Sequence, residues 1–184
     1  MRTSLPVLAR RLLLGGLLLL PSACLIAPAS MSRTGPAGAF SLTPANTRTR
    51  LRMHMVVAAR KGTGAKISGL NVGFSAEPRW QLSGTDSGEV HPWYRARLVD
   101  ERDEQVLDES SVIFDVPRPV GMVPLSPHIN LDDDTERFEA TYRLEFERQG
   151  TPSEGTIEVN WSSEVSMSTL SSDMRDFEIT FTRL

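Results

Sequence analysis

Residues 137–148 read Arg-Phe-Glu-Ala-Thr-Tyr-Arg-Leu-Glu-Phe-Glu-Arg, and polar and apolar side chains alternate along them without a break. A pleated strand turns successive side chains to opposite faces, so this period of two predicts a β-strand with one buried and one solvated face. The apolar face comprises Phe138, Ala140, Tyr142, Leu144 and Phe146. This stretch decides the fold class, because most of the chain after residue 47 repeats the pattern less regularly.

Further alternating segments occur on both sides of this stretch, at residues 48–59, 70–74, 90–99, 105–116, 156–169 and 177–181. No apolar pattern with the helical period of 3.6 persists for three turns. We therefore expect an all-β protein, an antiparallel β-sandwich of seven or eight strands, with a small closed β-barrel as the alternative. An immunoglobulin-like arrangement is expected in its disulfide-free form, since the Cys-Trp-Cys pattern of antibody domains is missing.

The first 24 residues have the composition of an export signal. Three arginines precede the apolar run from Leu12 to Leu20, which is shorter than the roughly 20 residues that a membrane-spanning helix needs. We therefore predict a signal peptide at residues 1–24 and a location in the periplasm or outer membrane of a bacterium.

Two processing sites are open, and they differ in the fate of Cys24. The segment Pro21-Ser22-Ala23-Cys24 resembles a bacterial lipobox, which implies lipid attachment at Cys24, although the family pattern has an aliphatic residue in place of Pro21. The segment Ala27-Pro28-Ala29 instead fits ordinary signal peptidase cleavage, which would leave a mature chain that starts near Ser30. Any contact with a membrane is expected through such an N-terminal lipid anchor alone.

Residues 25–46 consist mainly of Ala, Pro, Ser, Thr and Gly, a composition typical of flexible linkers. We therefore predict a linker at 25–46 and the β-sandwich domain at 47–184. Cys24 is the only cysteine, so the folded part has neither a disulfide nor a thiol nucleophile. Its stability must come from a conventional apolar core, for which this length is sufficient.

Charge is distributed unevenly along the chain. Residues 24–80 hold eight basic residues and one acidic residue, whereas residues 81–184 hold nine basic and 22 acidic ones. We interpret the basic segment as one half of a set of cross-strand ion pairs, in which Arg50 or Arg52 meets glutamates of later strands. A nucleic-acid surface is the disfavoured interpretation, because an exported acidic protein is an unusual nucleic-acid binder.

Motifs of catalysis are missing from the sequence. It has no Gly-x-Ser-x-Gly elbow, no Ser-x-x-Lys pair, and no phosphate-binding glycine loop before a helix. The histidines His54, His91 and His128 lie on three separate segments without the close spacing of zinc ligands. We therefore expect a protein that is not an enzyme and that carries no cofactor.

Two local clusters could bind metal ions, and neither has the required geometry. Met53-His54-Met55 offers ligands that suit Cu(I), but an alternating strand turns His54 away from both methionines. The run Asp132-Asp133-Asp134 lacks the spacing and the glycine turn of a calcium loop. We therefore expect no metal site, core positions for Met53 and Met55, and a solvated turn for the aspartates.

Trp93, Arg95 and Arg97 share the wetter face of the strand predicted at 90–99. Tryptophan and arginine are enriched where proteins bind one another, so these three residues are the candidate protein-binding site. A strand that is buried on both faces is the alternative interpretation. The sequence thus favours a non-catalytic binding or assembly module whose partner is another envelope protein.

The competing hypothesis is a periplasmic carrier of a small apolar ligand or a metal ion inside a β-barrel. An internal cavity lined by Met53 and Met55 would favour the carrier, whereas a filled core with an exposed aromatic patch would favour the binding module.

Overall fold

The computed structural model describes residues 29–81, 92–114, 121–150, 155–171 and 173–184. The described strands, in chain order, are β1 (Ala29–Leu42), β2 (Arg48–Ala59), β3 (Gly69–Gln81), β4 (Trp93–Asp100), β5 (Gln105–Ile113), β6 (Val123–Leu125), β7 (His128–Ile129), β8 (Arg137–Gln149), β9 (Thr156–Thr169) and β10 (Phe177–Arg183). One turn of 3-10 helix, Met174–Asp176, precedes β10. In the described residues, no helix has the length and apolar character needed to cross a membrane.

The strands form two antiparallel sheets that pack face to face. Sheet A has the order β1-β9-β3-β6, with β7 also paired to β3, and sheet B has the order β10-β2-β8-β4-β5. The sheets do not close into a barrel, so the prediction of an all-β antiparallel sandwich is confirmed. The strands predicted at 48–59 and 156–169 have these same bounds in the structure.

The strand order within the sandwich is that of a jelly roll. The chain passes from one sheet to the other between most consecutive strands, so that β1-β9-β3-β6 faces β2-β8-β4-β5, and β10 is added beside β2. The immunoglobulin-like order divides its strands differently, as A-B-E-D and C-F-G, with several consecutive strands side by side in one sheet. Among the described strands, β4 and β5 form such a consecutive hairpin. The order in which the strands connect therefore differs from the immunoglobulin-like order, whereas the two-sheet antiparallel sandwich is as predicted.

The core lies between the two sheets. The rings of Phe40 in sheet A and Phe146 in sheet B have centroids 4.7 Å apart, and those of Phe74 and Phe181 are 5.9 Å apart across the same interface. Trp161 is buried here as well. Burial contributes about 1.5–3 kcal/mol for each large apolar side chain, so aromatic packing across the interface accounts for much of the attraction between the sheets.

The segment predicted as a linker departs from the expectation, because residues 29–42 form β1 along the edge of sheet A. Its small residues serve close packing. A side chain at Gly35 would overlap the ring of Phe181, and one at Gly38 would lie 3.2 Å from the indole nitrogen of Trp161. Composition alone does not distinguish glycines that give flexibility from glycines that let neighbours approach. The described β-structure thus begins before residue 47.

Candidate functional site

The three candidate residues lie on one surface of the sandwich. Trp93, Arg95 and Arg97 alternate on β4 with the buried Tyr94 and Ala96, so their side chains point to the outer face of sheet B. The arginine side chains are 26% and 31% exposed, respectively, and Trp93 is half-buried. The structure thus places the candidate residues on a solvated face, rather than on a strand buried on both sides.

The register of the sheet arranges this surface in rows across the strands. The first arginine row crosses β2, β8, β4 and β5 as Arg50, Glu145, Arg97 and Glu109. The second arginine row crosses the same strands as Arg48, Glu147, Arg95 and Ser111. The apolar row crosses β8, β4 and β5 as Gln149, Trp93 and Ile113. We call these three rows together the arginine face.

Glu145 occupies the centre of the first arginine row. One of its oxygens lies 2.6 Å from Nη2 of Arg97, and the other lies 3.0 Å from Nε of Arg143 and 3.3 Å from Nε of Arg50. The carboxylate is only 13% exposed, because three guanidinium groups surround it. Arg97 and Arg143 thus donate charge-assisted hydrogen bonds to Glu145 and Arg50 adds an ion pair, in a partly desolvated position where such contacts are stronger than isolated surface pairs.

Glu147 has the same position in the second arginine row. Its two oxygens accept hydrogen bonds from Arg48 at 2.6 Å and from Arg95 at 2.5 Å, and Gln149 donates a third at 2.7 Å. Burial acts to raise the pKa of this carboxyl, but the hydrogen bonds and the charge of Arg48 outweigh it, so that the pKa lies below its usual value. Glu147 therefore stays ionised at neutral pH and holds both arginines in place.

The two carboxylates leave an excess of positive charge on this surface. A cleft of about 90 Å³ is lined by the four arginines Arg48, Arg50, Arg95 and Arg97 and by only two carboxylates, with Phe146 at its floor. Glu109 lies at the rim, 4.0 Å from Arg97. Since Arg48 and Arg50 are 69% and 66% exposed, the outer layer of the cleft consists of guanidinium groups with donors directed to solvent.

The apolar row adds a second kind of contact to the arginine face. Ile113 pairs directly with Trp93 across β4 and β5, and its side chain is 71% exposed. Gly150, with a φ of +99°, allows the chain to turn beside the indole ring, since a Cβ there would lie 3.2 Å from it. The sequence alone does not single out Ile113, because Val112 and Phe114 have the alternation of a buried face and Ile113 has the opposite parity.

A further ion pair of sheet B lies outside the three rows of the arginine face. Arg52 makes a bidentate contact with Glu101, in which its Nη2 is 2.6 Å from the carboxylate. The predicted cross-strand ion pairing is thus confirmed for Arg50, whose partner is Glu145 of β8, whereas the partner of Arg52 is Glu101, which lies in the turn after β4.

The histidines do not converge within the described residues. His54 of sheet B lies 3.1 Å from Glu139, and His128 of sheet A lies 3.0 Å from Asn71. His91 and the predicted lipid attachment residue Cys24 fall outside the described residues. In the ranges that the structure describes, no three His, Cys, Asp or Glu side chains are grouped so that they could hold a metal ion.

The outer face of sheet A differs from the arginine face. Its central strands present short side chains, such as Asn71, Ser75, Ser162 and Ser166, around a shallow depression of about 310 Å³. Glu164 is the charged residue in that lining, and it accepts a hydrogen bond from Ser32. The two outer faces therefore differ in side-chain length, charge and ion pairing.

No protein-family model matches the chain, and no curated protein matches it. Among solved structures, the chain is similar to the infectious bursal disease virus VP2 subviral particle, with 13% identity, a TM-score of 0.38, and coverage of 84% of this chain and 36% of that chain. It is also similar to Desmodium yellow mottle tymovirus, with 12% identity, a TM-score of 0.25, and coverage of 85% and 97%. The chain thus spans about a third of VP2. Likenesses of this strength carry no information on function.

Proposed function

We propose that the protein is an exported, non-catalytic binding module of the bacterial cell envelope, and that it contacts another envelope protein through the arginine face. The observation that carries the proposal is the combination of an arginine-lined cleft with the half-buried Trp93 and the exposed Ile113 that pairs with it. Arginine and aromatic side chains side by side are the composition of protein-binding hot spots.

The packing of the core supports a binding module over a carrier. Met53 and Met55 are fully buried, and an apolar cavity lined by Leu144 and Trp161, among other described residues, measures about 10 Å³. That volume is about the size of one water molecule, whereas pockets for small ligands measure about 300–1,000 Å³. A carrier would need a much larger space than this cavity, which the described residues of the core line.

The export signal predicted at residues 1–24 is the basis for proposing a location in the periplasm or outer membrane, where a lipid at Cys24 would anchor the protein if the chain is processed at that residue. The net charge of the chain is −3, so the arginine face is a local exception in an acidic protein. Such local patches steer association with partners of opposite charge.

Photocrosslinking in the intact envelope tests the proposal. A photoreactive amino acid replaces the exposed Ile113, and in a matched control it replaces the exposed Ser162 on the outer face of sheet A. We expect a discrete crosslinked polypeptide from position 113 and none from position 162. A crosslink from position 162 alone, or from neither position, would contradict the proposal.

A further inference from the structure

The spacing of the rows on the arginine face matches the repeat of an extended peptide. Arg97, Arg95 and Trp93 are separated by two residues each along β4, and a strand rises about 3.3–3.4 Å per residue, so the rows are about 6.6–6.8 Å apart. An extended peptide that lies along the same direction projects every second side chain at this same interval. Three alternate side chains of such a peptide can therefore meet three rows.

The charge of the rows selects the chemistry of those side chains. Within the cleft, each arginine row has two guanidinium groups and one internal carboxylate, Glu145 or Glu147, and Glu109 at the rim lies 4.0 Å from Arg97 and offsets part of the positive charge of the first row. A carboxylate fits this position because its two oxygens match the planar fork of a guanidinium group. The lining of the cleft thus leaves room for added carboxylates, and the exposed side chains of Arg48 and Arg50 offer donors to solvent where they would bind.

We propose that the arginine face binds an extended acidic segment of a partner protein, with carboxylate residues at positions i and i+2 on the two arginine rows and an apolar residue at i+4 on Trp93 and Ile113. This inference rests on the proposed function and specifies the chemistry of the partner. A small anion can bind the arginines of one row, whereas the peptide contacts both arginine rows and the apolar row at once.

The contact is with the face of sheet B and not with a sheet edge. The backbone groups of β8 and β4 are paired on both sides within the sheet, and those of β2 at residues 48–52 pair with β8, so recognition on this face comes from side chains. The arginines are held by Glu145 and Glu147 before a partner arrives, which lowers the entropy lost on binding. Binding should therefore depend on register, and it should weaken as salt screens the charges.

Fluorescence anisotropy with labelled peptides and the full mature chain tests the register. The matching peptide is Ser-Glu-Thr-Glu-Thr-Leu-Ser, and the control, Ser-Glu-Glu-Thr-Thr-Leu-Ser, has the same composition and charge with the carboxylates on opposite sides of the extended chain. We expect the matching peptide to bind about two- to fivefold more tightly, which is the effect of one charged contact at a partly exposed site. Equal affinities, or no binding of the matching peptide at millimolar concentration, would overturn the inference.

Two variants assign the binding to the arginine face. The double substitution Arg50→Gln with Arg97→Gln should weaken binding of the matching peptide about tenfold. Ile113→Ser should weaken this binding about threefold, and because Ile113 is exposed the substitution leaves the packing of the core unchanged. Arg79→Gln, on the outer face of sheet A, is the matched charge control and should change the affinity less than twofold. Unchanged binding in both arginine-face variants would overturn the assignment.

Inorganic phosphate separates peptide recognition from simple anion binding. We expect phosphate to compete only through ionic strength, as sodium chloride does at equal ionic strength. Displacement of the peptide by phosphate well below that level would show a small-anion site and overturn the peptide inference. A failed peptide test with a crosslink at position 113 would leave the proposed function standing, whereas loss of that crosslink would contradict the function itself.

Discussion

The two outer faces of the sandwich cover the same core with different side chains. Sheet A presents serine, asparagine and glycine around its shallow depression, whereas sheet B presents long arginine and glutamate side chains that bridge three strands. A solvated sheet face needs only polar residues, as sheet A shows. The concentration of arginines on sheet B therefore exceeds what the fold requires, and this excess is the basis of the proposed binding surface.

The two outer faces also differ in the ion pairs that fix their charged side chains. On sheet B, Glu145 and Glu147 each bridge at least two arginines from neighbouring strands. On sheet A, the pair of Arg79 and Glu77 lies within one strand, and both side chains are about half exposed or more. Substitutions of the ion-paired residues in the two arginine rows of sheet B should thus affect both stability and binding, whereas those on the outer face of sheet A should affect neither strongly.

The largest effect is expected in the core, which the two faces share. Leu144 of sheet B and Leu70 of sheet A are both fully buried, so Leu144→Ala and Leu70→Ala should each lower the free energy of unfolding by about 2–5 kcal/mol. Urea denaturation of the two variants measures this loss, with Ile113→Ala as the exposed control. A loss below about 1 kcal/mol for one leucine would contradict a core to which both sheets contribute equally.

The second effect distinguishes the two faces. Glu145→Gln removes the charge that three guanidinium groups surround, and we expect a loss of about 1–3 kcal/mol, the range for hydrogen bonds to charged groups. Glu158→Gln is the control on sheet A, where the carboxylate accepts one hydrogen bond from Gln81, and its effect should stay within about 0.5 kcal/mol. Equal losses from the two substitutions in thermal or urea unfolding would remove the contrast between the faces.

The third effect is a loss of stability in acid. The pKa values of Asp100 and Glu147 lie below their ordinary values of 3.8 and 4.5, because hydrogen bonds from arginines outweigh the effect of burial on each carboxyl. Groups with a lowered folded-state pKa stabilise the fold above the unfolded pKa, and this contribution is lost as the pH falls through the folded-state value. Stability should therefore be constant near neutral pH and fall below about pH 4.5.

Urea denaturation between pH 7 and pH 3 measures this dependence. In Glu147→Gln the decline should be shallower than in the unmodified protein, because one of the titrating groups has been removed. A decline of the same steepness in both proteins would show that the ion pairs of the second arginine row do not contribute to it.

The smallest effect is expected on sheet A. Ser162 is exposed on its outer face, and Ser162→Ala should change the free energy of unfolding by no more than about 0.5 kcal/mol. Peptide affinity should also be unchanged in this variant. A clear loss of peptide binding would move the binding surface to sheet A, against the present account.

The strands of the sandwich were predictable because their periodicity is a local property of the sequence. The alternation in residues 137–148 predicts the buried face of β8, and Phe138, Tyr142 and Phe146 are indeed buried. The fate of residues 29–42 was not predictable from composition, because the packing of Gly35 and Gly38 against aromatic rings depends on strands more than 100 residues away. The jelly-roll connectivity is likewise a long-range property.

The candidate site was predictable only along a single strand. The alternation at 90–99 puts Trp93, Arg95 and Arg97 on one face, but it does not say which strands lie beside them. Arg48 and Ile113 join the arginine face through the registers of β2 with β8 and of β4 with β5. Cross-strand register depends on turns and packing, so the cleft and its charge excess become visible only in the folded structure.

Native mass spectrometry of the protein extracted from its own envelope tests the central claim most directly. The account predicts a complex with a second polypeptide that is lost in the double variant Arg50→Gln with Arg97→Gln and retained in Arg79→Gln. The same spectrum reports the mature N-terminus and any acyl mass on Cys24. A protein without a polypeptide partner that carries a stoichiometric small ligand or metal ion would contradict the account and favour a carrier.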